Sequence, residues 1–517
     1  MEWFCIAPRC GLCRFDFVKN EDRLTGYYLV LRLFDATSYA YEPWPSENIR
    51  RFRWMCSRLA LIIYWSLALR LPYELCDTIA RYCVCEYAFY ISRNFCEGNV
   101  ASNFRIELSK PIWARYASLD GIAYIASLAN EPIWSDSVLL PRPNTPIKMV
   151  YVAEDHLGVS EVHFAGSLDK GRHHSTLGLW WRTVRSHEPE LEGQTDGSKL
   201  RRLFCPATGD TPGRSVLWAT PQLYPERLRL TMWIKSPNPP KMVSLNLGQE
   251  VTGYSFCWNG YIVALKAHHH EEDLSYYDYF TSSYPYALWL YIPLRPRERI
   301  TEIWQRRRRH GIEVALIAVT NIDRIHIMGA YPKSCWRPCS YELLYKAELG
   351  EGSFFIDESP AGIHAIASGS LAGSTVSRSL PILASSQYPK SMSFEDYLYT
   401  KASVENVTHV RLCRAKPDFI ITGLVFEYVD GHQESVGEVR LDCLEAPILI
   451  HVCQKMWLRV SRSSYGFPQV VDVGFSPASR FGEEYISIIW HGFLEWWFSL
   501  NQCKLYHNGQ ASLSTRR

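Results

Sequence analysis

The sequence predicts an α+β chain that is predominantly antiparallel β, a small N-terminal helical segment followed by a large β-sandwich or β-prism-like region. Two observations carry this. From Pro132 onward, Gly, Pro, Ser and Asn interrupt short apolar runs about every eight to twelve residues, which is the spacing of strands and turns. The stretch Ile300 to Gly329, ITEIWQRRRRHGIEVALIAVTNIDRIHIMG, also returns in outline as Val407 to Gly437, VTHVRLCRAKPDFIITGLVFEYVDGHQESVG. Each copy opens with a strand-like run, crosses a polar loop and enters an apolar run that ends at a turn. A last strand then leads to glycine, so the pair reads as a repeated β unit.

At 517 residues the chain has room for about two to four domains. With 47% hydrophobic and 14% aromatic residues it can build packed cores, which excludes a chain disordered as a whole. The 55 basic and 53 acidic residues leave a net charge of +2, and so no global field toward nucleic acid or an anionic membrane; neither is expected as a partner. Cysteines are scattered from Cys5 to Cys503, and the start MEWFCIAPRC has no basic region followed by an apolar core. Free thiols in an intracellular compartment, cytoplasmic or nuclear, are the expectation, and the sequon Asn406-Val407-Thr408 is then without consequence. The apolar run Leu59 to Leu69 lies between Arg58 and Arg70. It would rise only about 16 Å as a helix, half the hydrocarbon thickness, and so reads as a buried segment rather than a span.

Residues 1–55 form an N-terminal segment in which Cys10-Gly11-Leu12-Cys13 has half the spacing of a zinc site. No second close pair follows, so no metal is expected. Residues 56–130 form the helical segment, centred on Leu71-Pro72-Tyr73-Glu74-Leu75-Cys76-Asp77-Thr78-Ile79. Pro72 suits the first helical position, and Glu74 and Asp77 fall near the positive end of the helix dipole. Leu75, Ile79, Tyr82 and Cys83 recur on one apolar stripe. Over Pro111 to Asn130, helical and strand spacing compete.

Residues 131–517 form the β-rich region, with one domain or two and a boundary near 235–250. Lys148 to Gly166 reads as strand, turn at His156-Leu157-Gly158, strand. Trp180-Trp181-Arg182, Leu191 to Gln194 before the Asp196-Gly197 turn, and Leu228 to Ile234 continue the pattern. Asn259-Gly260 marks a hairpin within Gly253 to Ala267, since both residues tolerate the positive φ of a tight turn. Tyr286 to Ile292 is a continuous apolar strand, and Phe394 to Ser403 is the one later helical candidate. Tyr485 to His507 reads as two last strands completing the sheet around the second repeat copy, with a disordered tail from Asn508. The two copies are expected to superpose, with Ala315, Ile317 and Val319 on the face matching Leu424, Phe426 and Tyr428, or their alternates together.

Two resemblances attach to these residues. Leu71 to Ile79 resembles the opening L-P-x-E-L-x-x-x-I of an F-box, a small helical unit that docks on the adaptor subunit of a cullin-type ubiquitin ligase. Fungal proteins of unassigned function carry this opening ahead of a large β-rich region. The match covers about nine residues, and the usual L-x-x-V-C-x-x-W ending is missing after Cys85. The repeated unit is similar to the strand-turn-strand of jacalin-related β-prism lectins, without their Gly-rich N-terminal segment or their G-x-x-x-D sugar loop.

Catalytic motifs are missing: there is no G-x-S-x-G elbow and no Walker A loop, and Gly350-Glu351-Gly352 lacks a third glycine. His268-His269-His270-Glu271-Glu272-Asp273 cannot converge on one ion, because adjacent residues point apart, and is expected as a solvated loop. Arg306-Arg307-Arg308-Arg309-His310 is expected as a solvated loop between two strands. The sequence thus points to a non-enzymatic intracellular interaction protein without cofactor, an F-box-like substrate receptor whose Leu71, Pro72, Leu75 and Ile79 contact the adaptor. Carbohydrate binding is the alternative, resting on the repeat and on Trp258, Trp289, Trp304 and Trp496-Trp497 as stacking surfaces.

Overall fold

A computed structural model describes residues 41–512 apart from internal stretches, the longest being 88–101, 165–177 and 370–394. The Cys10 to Cys13 motif, the glycines at 350 and 352, Arg309, Phe394 and Lys416 lie outside the described residues. The chain divides into two compact units, Met1–Pro225 with Ser236–Val243, and Glu226–Lys235 with Ser244–Arg517.

The first unit opens with a helical hairpin of α1 (Pro45–Ser66) and α2 (Tyr73–Tyr82). Small side chains meet at their contact, Ala60 on α1 and Cys76 and Ala80 on α2, all fully buried. Their size lets the two backbones approach closely. Pro72 stands one residue before its expected place, as the N-cap (φ −56°, ψ 146°), and its carbonyl accepts from Cys76 N–H at 3.2 Å.

Nine strands follow: β1 (Ser102–Glu107), β2 (Ile112–Leu119), β3 (Ile122–Ala129), β4 (Ser137–Leu140), β5 (Met149–Glu154), β6 (Val159–Phe164), β7 (Trp180–Arg185), β8 (Glu190–Thr195) and β9 (Leu200–Phe204). Residues 102–129 were expected within the helical segment and are strands instead. Pro111 to Asn130 is a hairpin, turned at Gly121 with φ +81°. After β10 (Leu217–Trp218) the chain passes through β11 (Leu228–Met232), part of the second unit, and returns as β12 (Lys241–Ser244). Sheets β1-β8-β9 and β3-β2-β4 share with the run β7-β5-β6 one core of alternating aliphatic residues such as Ile106, Ile112, Ile125, Val150, Val162 and Leu191, while β10 and β12, next in that run, pack Leu217 and Val243 with Tyr41 and Trp180. β10 and β12 pair in parallel, whereas β5, for example, pairs both β6 and β7 antiparallel.

The second unit contains β13 (Gly253–Trp258), β14 (Ile262–His268), helix α3 (Tyr276–Ser283) and β15 (Leu288–Pro293). Next come β16 (Ile300–Arg308), β17 (Val314–Thr320), β18 (Ile325–Met328), β19 (Cys339–Lys346), β20 (Phe354–Asp357), β21 (Ala365–Gly369) and β22 (Leu398–Ser403). The chain continues with β23 (Val407–Arg414), β24 (Ile421–Tyr428), β25 (Gln433–Gly437), β26 (Ile448–Leu449), β27 (Met456–Arg462) and β28 (Pro468–Gly474). It ends with β29 (Glu484–Ile488), β30 (Phe493–Phe498), β31 (Cys503–His507) and β32 (Gln510–Ala511). The sheets are β14-β13-β15, β18-β17-β16-β19, β22-β30-β31-β32, β26-β23-β24-β28-β27-β29 with β25 on β24, and β11-β21-β20. They enclose one apolar core that includes Phe256, Leu316, Phe426, Leu458 and Trp496.

Leu398–Ser403, the later part of the expected helix, is strand β22, while the short helix α3 was not anticipated because its aromatic residues carry no clear helical stripe. Tyr485 to His507 holds parts of three strands: β29 pairs β27 in the sheet of the second copy, whereas β30 and β31 belong with β22. Asn508 begins a turn into β32, which pairs β31, rather than a tail. Arg306 is not in a loop; it lies on β16 at 0% exposure, donating to Ala330 O at 2.6 Å.

The two repeat copies are equivalent strand for strand. Each is a meander whose first strand also pairs a fourth, in the orders β18-β17-β16-β19 and β25-β24-β23-β26. Both ladders slip at the same step, from Ile300↔Thr320 to Glu302↔Val319 and from Val407↔Tyr428 to His409↔Glu427. At that bulge Thr301 Oγ1 donates to Val319 O (3.2 Å) and Thr408 Oγ1 to Glu427 O (3.0 Å). Turns match too: Asp323 N–H bonds Thr320 O at 3.1 Å with φ +59°, and Gly431 N–H bonds Tyr428 O at 2.9 Å with φ +82°. This equivalence sets Asn321-Ile322-Asp323 against Val429-Asp430-Gly431, one residue off the expected alignment. The core faces shift likewise, so that Leu316 and Ala318 match Leu424 and Phe426 in the shared core.

Candidate functional site

The helical hairpin presents the residues singled out in the sequence. On α2 the packed face is Cys76 and Ala80, and the neighbouring stripe is exposed: Leu75 at 51%, Ile79 at 39% and Tyr82 at 83%. Leu71 is half-buried at the hairpin contact and Pro72 exposed, so of the four expected contact residues Leu75 and Ile79 have free apolar surface. A second stripe, Leu61, Ile62 and Trp65, is exposed on α1, although Leu59 to Leu69 was expected to be buried. The stripes join at the hairpin end through rings, Tyr64 lying 5.7 Å from Trp65 and 6.0 Å from Tyr73. Soluble surfaces seldom expose so many large apolar side chains together unless something covers them. Among the described residues no helix is long and apolar enough to cross a membrane.

In the second unit a cavity of about 360 Å³ is lined by β15, β18, β22, β25 and Phe493. Each of these strands is the edge of its sheet. Some exposed ladder groups around the cavity are tied by side chains. Glu434 accepts from Ser403 N–H (3.1 Å) and is held by Arg295 (3.0 Å); Ser435 Oγ donates to Tyr291 O; Arg324 donates to Pro293 O (3.3 Å) and pairs Glu298 (2.8 Å).

Between β18 and β22 the ladder is open. Thr320 N–H bonds Arg324 O, so the alternation of an antiparallel ladder turns the N–H and C=O of Ile325 and Ile327 away from β17. Val404 N–H bonds Gly492 O, which likewise turns Tyr399, Lys401 and Ser403 away from β30. One rung joins the strands' extensions, Tyr331 N–H to Tyr397 O at 2.7 Å. Beyond it Ser403 is satisfied by Glu434 and Tyr428, whereas the backbone groups of Ile325, Ile327, Tyr399 and Lys401 meet no partner among the described residues. Lys401 Nζ lies 4.3 Å over the Phe493 ring and forms no ion pair among the described residues. No local pattern marks these positions, because being an edge depends on the pairing of the whole sheet.

Catalytic-looking contacts occur where space is lacking. Ser255 Oγ stands 2.7 Å from His268 Nε2, and His268 Nδ1 stands 2.9 Å from Glu272, the order of a nucleophile, base and orienting carboxylate. Yet Ser255 is fully buried and its hydroxyl also meets Tyr277 OH of α3 at 2.6 Å, so the network anchors α3 on the sheet. His268 is therefore core, against the solvated loop expected of the histidine run; His269 and His270 are exposed. Burial pushes the His268 pKa down despite Glu272. In the first unit, Lys199, at 0% exposure, pairs Asp196 at 2.8 Å, beside Tyr124 donating to Asp155 at 2.5 Å, again without an opening. No cluster of His, Cys, Asp and Glu among the described residues could hold a metal ion. The cysteines there, Cys56 through Cys503, are free thiols.

No protein-family model matches the chain, and no curated protein matches it.

Proposed function

We propose that this chain is a non-enzymatic interaction protein whose α1–α2 hairpin docks on a partner protein. The observation that supports this is the exposed stripe of Leu75, Ile79 and Tyr82 beside a packed face made of Cys76 and Ala80. If the hairpin existed only to pack on its own unit, the larger side chains would have been the ones buried. An amphipathic helix presenting i, i+4, i+7 anchors is suited to a groove on another protein. The F-box-like opening at Leu71 to Ile79 names the partner in this reading, the adaptor subunit of a cullin-type ubiquitin ligase, with the chain as a substrate receptor inside the cell. Retention of the purified chain on immobilised adaptor, lost in the Leu75→Asp, Ile79→Asp double variant, is the expected result. No retention of the intact chain removes the ligase reading.

The carbohydrate alternative keeps the repeat but loses most of its stacking surfaces, because Trp258, Trp289, Trp304 and Trp496 are at 5% exposure or less, while Trp497 is half-buried. The cavity, walled by Tyr291, Tyr331, Tyr399 and Phe493, offers other aromatic surfaces for it.

A further inference from the structure

We propose that the open ladder between β18 and β22 receives a short extended peptide, which adds as a strand and sets an acidic side chain against Lys401. The geometry is that of a sheet joint left unzipped. Tyr331 and Tyr397 form its one rung, and from there two edges diverge around the cavity of about 360 Å³. On one edge Ile325 and Ile327 offer alternate N–H and C=O groups, and on the other Tyr399 and Lys401 do the same. Ile325, Ile327 and Tyr399 are half-buried and Lys401 is exposed, so their free ladder groups face one opening, as a template for a further strand. An extended backbone carries donors and acceptors at the matching spacing on both of its sides, which is how strand addition gains affinity.

Neighbouring contacts keep the joint open rather than letting it close. Arg324 is held by Glu298 and by Pro293 O on β15, and Ser403 by Glu434 and Tyr428 on the side of β25. The side chains around the opening add selectivity. Tyr331 and Tyr399 pack ring to ring at 5.3 Å, forming an aromatic wall. Lys401 supplies the cation: it makes no ion pair among the described residues, although Glu495 is its cross-strand neighbour on β30, and its approach to Phe493 holds it at the rim.

This extends the reading as an interaction protein to a second surface and does not depend on the hairpin. Retention on the adaptor reads the hairpin, and peptide capture reads the cleft, so either can fail alone.

The test uses the purified full chain and a bead-displayed library of random heptapeptides. Enriched peptides should contain an acidic residue, and N-methylation of alternate backbone amides in such a peptide should weaken binding at least tenfold. Ile327→Pro removes an N–H that faces away from β17, so the sheet keeps its own ladder. It too should weaken binding at least tenfold, while the N-methylated peptides on the unaltered chain cover the case in which the variant misfolds. Hydrogen exchange at Ile325, Ile327, Tyr399 and Lys401 should be fast in the free chain and slow with peptide bound. The proposal is overturned if no peptide is enriched, if binding ignores N-methylation, or if those amides are already protected in the free chain. Protection by a hexose panel where no peptide protects would give the cleft to a sugar and overturn it as well.

Discussion

The amide of Gly437 donates to the hydroxyl of Thr400 at 2.8 Å, fastening the last strand of the second repeat copy to the edge of β22. Thr400 in turn donates to Trp496 O at 3.1 Å, so one hydroxyl links two sheets. A side chain at 437 would break this joint twice over. Its φ is +78°, and an added Cβ would stand 2.4 Å from Thr422 O and 2.8 Å from the Cα of Gly423. Gly431, at φ +82° in the turn, has nothing within 4 Å of the same atom. Gly437→Ala should therefore cost more than about 3 kcal/mol, and Gly431→Ala only about 1 kcal/mol, the cost of the left-handed backbone alone. Denaturant titration of the two variants checks this, and equal losses would refute the close approach.

The equivalence of the copies makes a stabilising substitution available. Asp323 holds φ +59° at the place where the other copy has Gly431. Its side chain is exposed and makes no hydrogen bond among the described residues. Asp323→Gly relieves the left-handed strain of about 1 kcal/mol and returns part of that as unfolded-state entropy. A net gain of a few tenths to about 0.5 kcal/mol is expected, measured as a rise in the urea midpoint.

Glu438 makes stability fall as the solution becomes less acidic. Burial raises its pKa to about 7, against the pull of Trp289 N–H and Arg440. The folded chain therefore binds more protons than the unfolded one between pH about 4.5 and 7, and loses up to about 1.4 kcal/mol per pH unit across that window. Glu438→Gln should be more stable than the parent at pH 8 and no more stable below pH 4.5. Parallel melts at the two pH values decide.

His326 acts in the opposite sense. Burial, and then Arg324, lower its pKa to about 3, and its Nε2 is buried without a partner. Here the unfolded chain binds more protons, so the stability is complete above pH about 6.5 and declines as pH falls toward 3. His326→Asn should flatten the stability profile between those values. An unchanged slope would show that the imidazole takes up its proton as readily in the folded chain as in the unfolded one.

On the hairpin, exposure and burial predict opposite costs for one chemical change. Leu75→Asp and Ile79→Asp should each alter stability by no more than about 0.5 kcal/mol, as for surface positions. Ala80→Asp places an uncompensated charge at the fully buried helix contact and should cost about 3 kcal/mol or more. Thermal melts followed by circular dichroism compare the three variants. A large loss from Leu75→Asp would mean that its stripe is structural.

What the sequence by itself determined was the local and the periodic. Alternating apolar residues, Asn259-Gly260 and Asp196-Gly197 placed strands and hairpins, because φ/ψ preference and side-chain alternation act within a few residues. The recurrence of a strand, a turn and a closing glycine located two copies of one unit, though the low side-chain identity left their alignment one residue astray. Tertiary structure decided the rest. Periodicity placed Leu75 and Ile79 on one stripe, but that stripe is exposed because Ala60 of α1 fits closely against the smaller Cys76 and Ala80. A run of arginines reads as solvated until Arg306 finds Ala330 O inside the second unit. Trp258, Trp289 and Trp304 became core, and Ile327 and Lys401 became open edges, only once distant strands had chosen their partners. Such pairing is set by the sum of non-local contacts, which no window of neighbouring residues contains.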